Sequence, residues 1–80
     1  MENYLKYITI DPNIRFGKPC IVNTRISVGD ILGYLASGMS IDEITEDFPE
    51  LIKEHITAAL SFAANRENMI KIITNDKTAA

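Results

Sequence analysis

Eighty residues carry a formal net charge of −3 at neutral pH, and 46% of them are hydrophobic. A length of this order implies one domain, residues 1–80, with a marginal core of the kind that association with a second chain often reinforces. The single cysteine excludes an intrachain disulfide framework and a zinc site with two or more Cys ligands. No apolar run approaches the roughly 18 residues of a membrane span. The opening MENYLKYITIDP lacks the basic and apolar regions of a signal peptide, so a reducing cytoplasm is the expected location.

In chain order, Tyr7 to Ile10 reads as a short strand, because β-branched and aromatic residues fill it. Asp11-Pro12-Asn13 is a turn, and Gly17 stands where a left-handed angle costs little. Cys20 to Val22 and Ile26 to Val28 are further short apolar pieces, interrupted by Asn23-Thr24-Arg25. Residues 7–28 therefore predict two or three short strands with tight turns, too short to stand alone.

From Ser27 the apolar period changes from two to between three and four. Ser27 with Asp30 predicts a capping box, with Asp in place of Glu or Gln. Val28, Ile31, Leu32 and Leu35 predict a helix over 28–37 that ends at Gly38 as its left-handed residue. Ser40 with Glu43 is a second capping box and predicts a helix over 40–48 with Ile41, Ile44 and Phe48 inward, stopped by Pro49. Leu51, Ile52, Ile56, Ala59, Leu60 and Ala63 predict a third helix over 51–65 or longer. Met69, Ile70, Ile72 and Ile73 form another apolar patch that calls for cover from a partner, and residues 74–80 are expected to fray. The fold expected is mainly α: a three-helix, helix-turn-helix-like (homeodomain-like) bundle behind a short N-terminal β-hairpin.

Charge is unevenly placed. Residues 1–27 hold four cations against two acids, a net +2. Residues 28–54 hold seven acids against Lys53 alone, a net −6. Arg15, Lys18 and Arg25 on the turn-rich segment are candidates for phosphate contacts. Arg25 also has a structural reading, since it precedes a helix whose first turn carries Asp30 and can pair with it. On the third helix Lys53, Thr57 and Ser61 recur every four residues on one polar face, and with Arg66 they are the candidate DNA contacts of a recognition helix. Glu50 and Glu54 at the start of that helix would face phosphates, which favours a solvated bundle face instead.

Glu46, Asp47 and Glu50 can form an acidic surface for a basic protein, with Met69, Ile70 and Ile73 as an apolar partner-binding patch. Cys20 lies between Pro19 and Ile21 and reads as a small buried hydrophobe. His55 is the only histidine, and no third group is spaced to orient a Cys20–His55 pair. The carboxylates match neither a metal box nor a calcium loop, and Phe16-Gly17-Lys18 lacks P-loop spacing. No catalytic residue, metal or cofactor is expected.

Several of these residues also form a known order: Ile8 with Asp11-Pro12, Gly17-Lys18-Pro19, Ile21-Val22, Thr24-Arg25, Gly38, Ser40 with Glu43-Ile44, Phe48-Pro49 and Ala59-Leu60. Over about residues 7–64 the chain resembles the DUF433 family. Asn23 stands where that family usually has Gly before Thr-Arg, and Asn is the non-glycine residue that best tolerates a left-handed angle. The resemblance implies a small, often dimeric domain with a β-hairpin and a helix-turn-helix-like part. Some relatives resemble antitoxins of toxin–antitoxin pairs whose partner is a PIN-domain ribonuclease, and such antitoxins often bind their own operator DNA. The resemblance thus implies an antitoxin or small transcriptional regulator; the alternative from the residues is an interaction module without nucleic-acid binding.

Overall fold

A computed structural model describes the backbone of residues 4–78 and the side chains of residues 4–66. The chain opens with a 3-10 turn, Tyr4–Tyr7, and then forms an antiparallel hairpin of β1 (Ile8–Thr9) and β2 (Cys20–Ile21). Ile8 pairs with Ile21 and Thr9 with Cys20. The expected strand over Tyr7–Ile10 shrinks to two residues, because Tyr7 belongs to the 3-10 turn and Ile10 stands exposed. The segment after Ile26 contributes one bridge, Cys20 to Ser27. Between them Asn23 takes φ 63°, a left-handed angle that Asn tolerates, and the Thr24 hydroxyl donates to the Ile21 carbonyl at 2.9 Å to close the turn.

Three helices follow: α1 (Val28–Ala36), α2 (Ile41–Asp47) and α3 (Lys53–Thr78). Both predicted capping boxes are complete. The Ser27 hydroxyl accepts from the Asp30 N–H at 2.9 Å, and the Asp30 carboxylate accepts from the Ser27 N–H at 3.1 Å. Ser40 and Glu43 do the same at 3.1 and 2.8 Å. Gly38 ends α1 at φ 105°, with its N–H on the Leu35 carbonyl and the Met39 N–H on the Tyr34 carbonyl, the pattern of a Schellman motif.

The start of α3 is less well made. Its N-terminal flank is Ile52, whose side chain can accept nothing, so only half a box exists: the Ile52 N–H donates to Nδ1 of His55 at 3.1 Å. The helix reaches Thr78, so the tail expected to fray from residue 74 is helical to that point, and residues 79–80 lie outside the described part.

Ile21, Val28, Ile31, Ile44, Leu51, Ile56 and Ala59 make one core, one or more from each helix and one from the hairpin. Tyr34 of α1 stacks on Phe48 at 4.9 Å and seals the α1–α2 corner. Two residues assigned to the inner stripe of the third helix are displaced: Ile52 and Leu60 are exposed, while Ala58 is buried. Close helix packing favours the small side chain at the contact and turns the larger ones outward. The architecture is mainly helical, three helices in a helix-turn-helix-like arrangement with an N-terminal antiparallel hairpin.

Candidate functional site

The candidate residues fall in three places: the corner at 14–30, the polar face of α3, and the acidic edge of α2. At the corner, Arg15, Phe16 and Gly17 take φ values of 52, 59 and 82° in succession. Glycine adopts such angles freely; arginine and phenylalanine do so at a cost on the order of 1–3 kcal/mol each. The compensation is visible. One Arg15 guanidinium nitrogen donates to the Asp30 carboxylate at 2.9 Å and to the Arg25 carbonyl at 2.7 Å. Burial pushes the Asp30 carboxyl up, but the bonds from Arg15 and Ser27 outweigh it and hold it below the usual range. The hydrogen bond to Asp30 and the charge beside it raise Arg15 in turn.

The partner of Asp30 is therefore Arg15, where sequence reasoning placed Arg25. The left-handed pair at 15–16 turns the Arg15 side chain back onto α1, while Arg25 keeps an exposed side chain and contributes only its carbonyl. Lys18 is exposed as well, and with Arg66 it flanks a groove of about 570 Å³ floored by Val28, Leu32 and Phe62. The Arg66 guanidinium lies 5.9 Å from the centre of the Phe62 ring.

On α3, Lys53, Thr57, Ser61 and Arg66 are all exposed. Thr57 turns its hydroxyl onto its own helix, 3.1 Å from the Glu54 carbonyl. His55 packs edge-on against Tyr7 at 5.3 Å. Burial lowers its pKa, partly opposed by Glu54, so the neutral ring that accepts from Ile52 is the favoured form. Cys20 is a buried free thiol. Among the described residues no three His, Cys, Asp or Glu side chains gather as a metal cluster.

Asp42, Glu46, Asp47 and Glu50 are exposed along α2 and the turn after it. Among the described residues the one ion pair is Arg15–Asp30, and none of these acids takes part in it. The side chains of Met69, Ile70 and Ile73 lie outside the described residues. What sequence reasoning missed is Phe16, 97% exposed, with Leu5 and Ile10 exposed nearby in the chain. A left-handed Arg-Phe pair contradicts local preference, so no propensity argument would have found it.

The family model described as "Protein of unknown function (DUF433)" matches residues 8–63. The chain belongs to the DUF433 family. The match begins at β1 and ends within α3, so it takes in the hairpin, the corner and both capping boxes. A crystal structure of a DUF433 member from Anabaena variabilis superimposes with a TM-score of 0.74 at 29% identity, covering 86% of this chain and 72% of that one. No curated protein matches. Among the described residues no helix is long and apolar enough to cross a membrane.

Proposed function

We propose that this DUF433 chain is a non-catalytic cytoplasmic regulator that acts as a homodimer by binding a basic protein, in the manner of an antitoxin that masks a PIN-domain ribonuclease. The observation that supports it is the exposed carboxylate row Asp42, Glu46, Asp47 and Glu50 on the helix-turn-helix-like unit. A ribonuclease must present cations to a polyanion, and such a surface is complementary to this row. Glu50, in the turn before α3, and Glu54, in its first turn, stand where a recognition helix would approach phosphates.

The test is recovery of the tagged full chain from its own cells beside the Glu46→Lys/Asp47→Lys variant. A stoichiometric small basic partner, lost on charge reversal, is expected. A partner retained after reversal, or a chain recovered with none, would overturn the reading.

A second reading, binding of operator DNA, draws on the exposed Lys18, Arg25, Lys53, Ser61 and Arg66. Arg15 contributes little to it, since its guanidinium is engaged by Asp30 and the Arg25 carbonyl.

A further inference from the structure

Three segments far apart in sequence enclose one groove of about 570 Å³: Lys18 and Pro19 just before β2, the start of α1, and α3 between Phe62 and Arg66. Sites for small molecules typically measure about 300–1,000 Å³. The floor is apolar, made by Val28, Leu32 and Phe62. The charged residues on the wall are Lys18, Arg66 and Asp30. Asp30 is already met by the Arg15 guanidinium at 2.9 Å and by the Ser27 N–H at 3.1 Å, so its charge is satisfied within the fold. Lys18 and Arg66 are exposed, and among the described residues no acid pairs with either. The Arg66 guanidinium lies over the Phe62 ring, 5.9 Å from its centre, which sets a cation at the edge of the apolar floor.

A glycine keeps the groove open. Gly29 stands on its wall at the start of α1, with no left-handed angle to demand glycine. A Cβ added there would meet only the Ser27 Oγ at 3.7 Å, an ordinary contact. Neither backbone geometry nor packing calls for glycine at this position, and in a helix glycine costs up to about 1 kcal/mol against alanine. What it supplies is room on the wall and close approach to the backbone.

We infer that this groove binds a small amphipathic carboxylate, its apolar body on Val28, Leu32 and Phe62 and its carboxylate held by Lys18 and Arg66. In a chain of net charge −3, two cations beside an apolar floor are complementary to an anion with an apolar body. Nucleic acid suits the rim but not the floor, since a phosphate backbone leaves three apolar side chains uncovered. A cationic amphiphile suits the floor but not the rim. The site is separate from the acidic row on α2, and it stands whether or not that row meets a basic protein.

The test is a titration of the full chain with decanoate, followed by amide NMR, with decylamine as the cation of equal chain length. Decanoate should shift the Gly29, Leu32 and Ala63 amides saturably, and decylamine should not. Lys18→Ala and Arg66→Ala should each weaken decanoate binding about threefold or more. Gly29→Leu should weaken it about tenfold or more by filling the groove. That variant should melt no lower than wild type, because leucine is the better helix former, so its loss of binding is not a loss of fold. Decanoate without saturable shifts, decylamine bound as well as decanoate, or an affinity unmoved in Gly29→Leu or in both charge variants would overturn the inference. A short peptide of Glu and Leu that displaces decanoate and binds more tightly would also overturn it, and would assign the groove to a protein segment.

Discussion

The corner at residues 14–30 and the start of α3 both gather charge beside a helix N-terminus, and they use it in opposite ways. At the corner, Asp30 accepts from the Ser27 N–H and from Arg15, and Arg15 also reaches the Arg25 carbonyl, so cap, ion pair and turn form one unit. At α3 the flanking residue is Ile52, the cap is half-made through His55, and Glu50, Lys53 and Glu54 stand in solvent. Charge at a helix start is scaffold where the capping box is complete and a bond crosses to another segment. Where neither holds, it is surface, available to a partner.

That contrast is broken most forcefully at Asp30. Asp30→Ala removes half a capping box and the ion pair together and should lower unfolding stability by about 1–2 kcal/mol, read by denaturant titration. The matched change Glu54→Ala should stay within about 0.5 kcal/mol. The partner choice is sharpened by double-mutant cycles. Arg15→Ala with Asp30→Ala should be coupled, whereas Arg25→Ala with Asp30→Ala should be additive, since the Arg25 contribution is its backbone carbonyl.

The smaller effect is at the other helix start. The pKa of His55 is lowered in the folded chain by burial, so below the unfolded value of 6.5 the unfolded state binds more protons. Stability from the neutral ring is therefore full above that value and is lost as pH falls through it toward the lower folded pKa. His55→Gln should flatten the stability profile below neutrality, and an unchanged slope in that variant would show that the half-cap plays no part.

Much of the fold is legible in the order of the residues. Ser27 with Asp30 and Ser40 with Glu43 have the spacing that satisfies the first N–H groups of a helix, and Gly38 is the residue that a Schellman turn prefers. Apolar spacing finds the inward faces of α1 and α2. It misplaces Ile52, which stands on the flank before α3, and Leu60, since period alone does not fix which side of the helix turns inward, and Ala58 is the buried residue instead. The candidate site is less legible. Arg15 and Arg25 look alike in sequence. Two successive left-handed angles that no local preference favours decide which of them meets Asp30 and which stays in solvent.

The most direct measurement is a fluorescence-anisotropy titration of the purified full chain against duplex DNA from upstream of its own gene, at low and then rising salt. If the acids at the α3 start belong to a protein-facing surface and Arg15 is scaffold, no saturable binding appears even at low salt. Saturable binding that weakens steeply with salt, as release of counterions from several phosphates requires, and that is lost in Lys53→Ala or Arg66→Ala, would contradict the account and make α3 a recognition helix.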